Sequence, residues 1–324
     1  MESKRTLVLQ WVEQGDLKQE QVEDILSSAG VLPNTLRWRI FLQNFFLWLG
    51  GLALAFSLMF FIAYNWDAIG RFAKFALIEF ALGVSVLAYW KLDVDKIVAK
   101  VSITVATILL GVLLALYGQT YQTGADPWQL FFNWSLLMLP WALVAQFASI
   151  WLIWVVLLNL SITLYFQAIG GFWGLLFSTT EHVFWVLFIF NSLIWITWEF
   201  AATRFSWLKE RWPLWLVAIA SGVSITFLML STIFDEHDTE ALSVLVYFGW
   251  MAVLYFIYRN KIPDLFMLAG LCLSAIVVLT SFFARHLLDG HDSGGGFFIL
   301  TFMVIGMAAA AGKWLKHIQR EMMA

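Results

Sequence analysis

The 324-residue chain is 61% hydrophobic and 13% charged, with a mean hydropathy of +0.81, where an ordinary soluble domain runs near ~45–50% apolar and ~25% charged. A water-soluble fold of this size is excluded, because so few charges would leave large apolar patches in water. The net charge of -3 and a pI near 5.9 exclude a basic nucleic-acid-binding surface, and the single cysteine, Cys272, excludes a disulfide framework or a multi-thiolate metal site within one chain.

Residues 1–39 form the one sizeable polar segment. Leu7, Val8, Trp11 and Val12 recur at helical spacing, Gly15 breaks the pattern, and Asp16 with Gln19 makes a capping-box-like start for a second helix carrying Val22, Ile25, Leu26 and Ala29 on one face. The pattern predicts a helical hairpin, a small head outside the bilayer, closed by Gly30 and Pro33. The head lacks the continuous apolar h-region of a cleavable signal peptide.

From Ile40 onward, apolar runs repeat that are long enough to cross a hydrocarbon core of ~30 Å at 1.5 Å per residue. Ten spans are predicted, at about 40–64, 72–90, 97–117, 128–147, 149–166, 182–202, 212–234, 241–258, 263–283 and 296–315. Fold class is therefore all-α: a polytopic membrane helix bundle over 40–324 with the head at 1–39. Gln167 to Glu181, with Gly170, Gly171 and Gly174, reads as a loop, a re-entrant turn or an extension of span five. Pro127, Pro213 and Pro263 fall at span starts, where a missing N–H costs least. Pro140 lies inside span four, where a kink is the ordinary expectation. Ten spans could split into five plus five of inverted topology, as in many secondary transporters, but no internal sequence symmetry supports the division.

Basic residues test the count independently, since Lys and Arg gather on cytoplasmic loops. With the N-terminus inside, all of them except Arg71, Lys74 and Arg285 fall on the cytoplasmic side. Both termini are predicted to be cytoplasmic. The outer loops are acidic, with Asp235, Glu236, Asp238 and Glu240 in one and Asp289 and Asp292 in another.

Glu79 carries the strongest functional signal. It lies near the middle of span two, where an ionisable group costs ~2.5–3.5 kcal/mol even on insertion scales and calls for a polar partner or cavity. It reads either as a hydrogen-bonded tie between helices or as part of an ion, proton or solute path. Glu199, at the inner end of span six, reads as one half of an interfacial pair with Arg204. The segment from Leu116 to Trp128 reads as an outer reversal in which Asp126 caps span four ahead of Pro127. Gln119, Tyr121 and Gln122 could line an outer cavity with Asn65, Asp67 and Arg71, or form an aromatic belt at the interface. The candidate cavity is thus Glu79, Asn65, Gln119 and Tyr121.

His286, Asp289, His291 and Asp292, with Asp235 and His237, are metal-ligand types, yet their spacing matches no zinc signature and the run Gly294 to Gly296 reads as a solvated loop. Neither a metal nor a cofactor is expected. The chain has no G-x-S-x-G, H-E-x-x-H, Walker or dinucleotide motif in a supporting context, so a conventional enzyme is not expected either.

The head sequence Trp11-Val12-Glu13-Gln14-Gly15-Asp16-Leu17-Lys18-Gln19-Glu20-Gln21, the glycine-rich first span and the stretch from Leu116 ending in Leu139-Pro140-Trp141 together resemble a family of predicted bacterial membrane proteins defined as a domain of unknown function. The resemblance covers about the first half of the chain. It implies a bacterial inner membrane and supplies no activity, ligand or site. The residues favour a transporter-like or permease-like bundle for a small solute or ion. The alternative is a non-transport scaffold or sensor whose head docks a cytoplasmic protein. Lipid is the expected partner in both, and nucleic acid in neither.

Overall fold

In hydrocarbon each backbone N–H and C=O must be satisfied within the protein, which leaves a chain of this composition the helix as its spanning element. The computed structural model describes residues 11–12, 22–28, 35–168, 180–234, 241–288 and 293–323. A short helix, α1 (Val22–Ser28), belongs to the head. The predicted hairpin otherwise lies outside the described residues.

Ten long apolar helices follow, each able by length and composition to cross a membrane. They are α2 (Thr35–Tyr64), α3 (Arg71–Lys91), α4 (Ile97–Tyr121), α5 (Pro127–Ala145), α6 (Ala148–Ala168), α7 (Thr180–Arg204), α8 (Arg211–Phe234), α9 (Ala241–Phe256, continued by a π turn over Ile257–Lys261), α10 (Leu265–Leu288) and α11 (Ser293–Met323). No strand occurs among the described residues. The protein is a multi-pass membrane helix bundle, and the ten spans coincide with the predicted runs to within a turn or two, except that α11 runs eight residues past Leu315. Pro127 stands at N1 of α5 as expected, but Asp126 makes no side-chain cap. Residues 169–179, including most of the ambiguous glycine-rich stretch, lie outside the described residues.

Two compact units divide the chain after Gly124, that is, after the third span rather than the fifth. In the first, α4 is central and α2 and α3 both pack on it. Accordingly 44% of the most apolar window of α4 is buried, against 11% for α2 and for α3. Ile62, Ile78 and Leu116 form a small core under Leu58, Trp66 and Phe75. Lys74 is buried beside it, its ammonium 3.6 Å from the centre of the Trp66 ring, a cation–π contact strengthened by desolvation. Helix α2 reaches α4 closely at Gly51, where an added Cβ would come 2.5 Å from Val101 Cγ1; at neighbouring Gly50 it would meet nothing within 4 Å.

In the second unit α8 is central and packs on α6, α7, α9 and α10. Small hydroxyl and amide side chains join these helices, as expected where lipid supplies no hydrophobic drive for helix association. Asn159 and Asn191 exchange amide hydrogen bonds of 3.0 and 2.6 Å between α6 and α7. Ser192 and Ser221 join α7 to α8 at 2.7 Å. The Ser274 hydroxyl meets both Thr226 (2.7 Å) and Tyr247 (3.0 Å), linking α10 to α8 and α9.

The two glycines of α2 give a matched test. Gly50→Ala should stabilise the protein by ~0.5–1 kcal/mol through helix propensity. Gly51→Ala, which forces Val101 or the whole helix to move, should destabilise it by ~1 kcal/mol net of that gain. Thermal unfolding of the two variants in detergent micelles should shift in opposite directions.

Candidate functional site

The best-built polar constellation lies at the end of the second unit that carries Arg204, Lys209, Arg259 and Lys261. Arg211 opens α8 there, one short 3-10 turn (Ser206–Leu208) after α7. Its Nη1 donates to both oxygens of Glu199, at 3.1 and 3.0 Å, one helix back on α7. Its Nε and Nη2 donate to Oδ2 of Asp264 at 3.1 and 2.9 Å. The guanidinium fork suits this double task, since its planar donors can serve two carboxylates at once.

Each carboxylate has further donors. Tyr258 donates its hydroxyl to Glu199 Oε1 at 2.8 Å and accepts from the Trp195 indole at 2.8 Å. Trp215 donates its indole N–H to Asp264 Oδ2 at 2.9 Å. Asp264 Oδ1 accepts from the backbone N–H of Phe266 (3.0 Å) and of Met267 (3.4 Å), which makes Asp264 the N-cap of α10, a role worth ~1 kcal/mol. The π turn after α9 serves the same centre: Tyr258 is fully buried, and its carbonyl accepts from Asp264 N at 3.2 Å. Four elements (α7, α8, the π turn and α10) are thereby clamped by one cation.

The clamp carries one net negative charge and is largely desolvated: the side chains of Asp264 and Glu199 are 8% and 16% exposed and that of Arg211 31%. Such a triad positions helices more than it stabilises them, since desolvation offsets most of the Coulomb gain. Its donors and acceptors are engaged with one another, which suits it to holding geometry rather than to proton transfer. The expected pairing of Glu199 with Arg204 is corrected here. Helical propagation carries Arg204 onto an exposed face, while the turn through residues 205–210 brings Arg211 back over Glu199.

Apolar cavities flank the clamp. One, of about 440 Å³, lies beside the 3-10 turn and is walled by Trp151, Trp154, Trp198 and Trp207. Another, of about 320 Å³, runs along α8, α9 and α10 from Trp215 and Phe266, stacked at 4.5 Å, to Leu230 and Val277. Gly222 and Gly270 form part of its floor, and Ile219, Val223, Phe227 and Leu273 stand exposed along its edges. The first unit has an apolar groove of its own, about 560 Å³, between α2, α3 and α4.

The four residues of the predicted outer cavity all belong to the first unit, and none lines any of these three cavities. Glu79 is exposed on α3. Asn65 follows α2 and returns its amide to the Phe61 carbonyl at 2.9 Å. Gln119 and Tyr121 are helical, since α4 continues past Tyr117 and reverses only at Gln122 (φ 45°) and Gly124 (φ 64°). Tyr121 packs its ring against Phe75 and Tyr117, with centroids 6.1 and 5.0 Å apart. Of the six metal-ligand types His286, Asp289, His291, Asp292, Asp235 and His237, His286 is described, within α10. Its Nδ1 lies 2.9 Å from the Phe282 carbonyl. Asp235, His237, Asp289, His291 and Asp292 lie outside the described residues.

Comparison with known families bears on the first part of the chain. Residues 9–151 match the family described as predicted membrane protein DUF2157. The matched segment contains the head from residue 9 onward, α2 to α5 and the four outer-cavity candidates, and it agrees with the resemblance read from the head, the first span and the stretch from Leu116 to Trp141. No curated protein and no solved structure matches the chain. Glu199, Arg211, Tyr258 and Asp264 all lie beyond the DUF2157 match. Of the four, Asp264 left a local signal in the sequence: an acidic residue directly before the apolar run that opens at Leu265 is an N-cap signature.

Removing the shared cation is the sharpest test of the clamp. Arg211→Met strands two desolvated carboxylates and should lower stability by ~3 kcal/mol. Adding Glu199→Gln and Asp264→Asn to the same chain should recover much of the loss. Chemical denaturation in mixed micelles compares the single and triple variants, and equal stability of the two would refute the clamp.

Proposed function

We propose that this protein is a non-transport membrane scaffold or sensor that draws an amphiphile sideways from the bilayer into the groove along α8, α9 and α10. One observation carries the reading: the groove is walled by apolar side chains and edged by Ile219, Val223, Phe227 and Leu273, which are exposed within spans where the surrounding medium is hydrocarbon. From Trp215 to Leu230 the wall rises ~22 Å along the helix axis, enough to seat an extended chain from one leaflet of a ~30 Å core. Trp215 and the clamp stand at one end of it, at the level where amphipathic rings and charged groups meet head groups.

A permease needs a polar path. The three cavities are apolar, and the transporter-like reading of Glu79, Asn65, Gln119 and Tyr121 has no cavity among them to support it. Nor does the reading assign catalysis, because the clamp's acidic oxygens are committed to Arg211, Tyr258, Trp215 and the start of α10. The basic residues favour a cytoplasmic location for both termini and for the clamp, in a bacterial inner membrane, which puts the head on the side where it would meet a cytoplasmic protein.

Orientation is testable without knowing the ligand. In a chain whose Cys272 is replaced by alanine, a cysteine at Thr239 should react with an impermeant maleimide on intact spheroplasts, and one at Lys209 after lysis. The opposite pattern would overturn the orientation.

The groove is tested with a phosphatidylethanolamine bearing a photoreactive acyl chain. Labelling of the reconstituted protein should concentrate on peptides from α8 and α10. Gly270→Leu, whose side chain has open space to enter the groove, should reduce that labelling several-fold while the spans elsewhere label as before. Even labelling over all spans, unchanged in Gly270→Leu, would refute the binding groove.

A further inference from the structure

Past Trp215, the groove along α8, α9 and α10 is lined by apolar side chains except at one level, where Thr226 of α8, Trp250 of α9 and Ser274 of α10 reach it. Thr226 stands eleven residues beyond Trp215, and Ser274 ten beyond Asp264, so both lie ~15 Å from the clamp along the helix axes. That is the middle of a ~30 Å core. All three residues belong to the second unit.

The hydroxyl protons at this level are all engaged. Thr226 donates to the Gly222 carbonyl at 2.6 Å, so its 2.7 Å contact with Ser274 is made by the Ser274 proton. Ser274 then accepts from the Tyr247 hydroxyl at 3.0 Å. The relay runs from Tyr247 through Ser274 and Thr226 to Gly222, and it leaves Thr226 and Ser274 each with one unused acceptor position.

Trp250 is the reverse case. Its indole N–H, a donor with no acceptor capacity, is buried and meets no acceptor among the described residues. A Cβ added at Gly222 would come 3.2 Å from Trp250 Cη2 and 3.4 Å from Cζ2. Cζ2 belongs to the nitrogen side of the indole, so that side of the ring faces α8 one turn from Thr226. Buried donors in folded proteins are almost always paired. One level of the groove thus holds a donor lacking an acceptor beside two acceptors lacking a donor.

Given the groove as an amphiphile-binding site, on which this assignment rests, we propose that its occupant carries a hydroxyl on the apolar chain, seated at this level. A hydroxyl serves both sides through one oxygen, accepting from Trp250 and donating to Thr226 or Ser274. A ketone or ester oxygen would satisfy Trp250 alone, and an ammonium would satisfy the hydroxyls alone. A trans amide points its donor and acceptor in opposite directions, and an ionised carboxylate has no proton to give and brings charge into the core. With the head group at the clamp, the hydroxyl falls about two thirds of the way down the ~22 Å wall from Trp215 to Leu230. On an eighteen-carbon acyl chain that is the twelfth carbon.

The whole chain is reconstituted into vesicles of phosphatidylglycerol and octadecanoyl phosphatidylethanolamine with a trace of the photoreactive lipid. Replacing a tenth of the plain phosphatidylethanolamine by one with a hydroxyl on the twelfth carbon should about halve the label on α8 and α10, the result of an about tenfold preference from two added hydrogen bonds. A hydroxyl on the second carbon, or a methoxy group on the twelfth, should leave most of the label in place. Trp250→Phe keeps an aromatic ring and deletes the unpartnered N–H; it should cut the preference to about threefold or less while the plain lipid labels α8 and α10 as before. The lipid series on the parent chain tests the site without any substitution. Equal displacement by the hydroxylated and plain lipids would overturn the hydroxyl site and leave the groove standing, as would a preference unchanged in Trp250→Phe. Label spread evenly over all spans would overturn the groove, and the hydroxyl site with it.

Discussion

Hydrocarbon has no hydrogen bonds to offer, and that solvent property organises this protein at every level. It forces the backbone into helices, whose own N–H and C=O groups pair internally. It also changes what side chains do. In water, apolar faces drive helices together; in lipid they gain nothing by leaving it, and the specific contacts fall to small residues and polar pairs. The amide pair of Asn159 with Asn191 and the hydroxyl contacts of Ser192, Ser221, Thr226, Tyr247 and Ser274 are the second unit's answer to that constraint.

The two units meet it differently. The first relies on close backbone approach at Gly51 and a small apolar core, with α4 more buried than α2 and α3. Two of its ionisable groups are placed apart: Lys74 is laid over the Trp66 ring, and Glu79 is left on the surface. The second unit gathers its charges instead. One arginine shared by two carboxylates, with Tyr258, Trp195 and Trp215 closing the remaining valences, sets the spacing of four elements at once. The clamp joins the ends of α8 and α10 at one end of the groove between them, and Gly222 and Gly270 are among the residues that line it.

How legible each feature was follows from its range in the chain. The ten spans were legible because an apolar run of sufficient length is a local property. The clamp was not, because Glu199, Arg211, Tyr258 and Asp264 are spread over three spans and two turns, and each alone resembles an ordinary interfacial residue. Nearness in sequence suggested Arg204 for Glu199. The 3-10 turn and the reversal into α8 bring Arg211 instead. Gln119 and Tyr121 were read as loop residues because glycine and glutamine weaken the helical signal, yet the helix runs on to Tyr121 and stops where Gln122 and Gly124 adopt the left-handed backbone.

The sequence by itself determined the solvent, the class of element, the number of crossings and the residues that mark their ends, since each depends on a run of neighbouring side chains measured against a bilayer of known thickness. It also singled out Glu79 as anomalous, because depth in a span can be counted along the chain. Which way Glu79 faces, which cation Glu199 binds, and where space remains between helices were decided by the tertiary structure alone. Those properties depend on how each helix is rotated about its axis and on which helix lies beside it, and a nearly uniform apolar pattern with little polar contrast around the helix leaves that rotation unspecified until the helices pack.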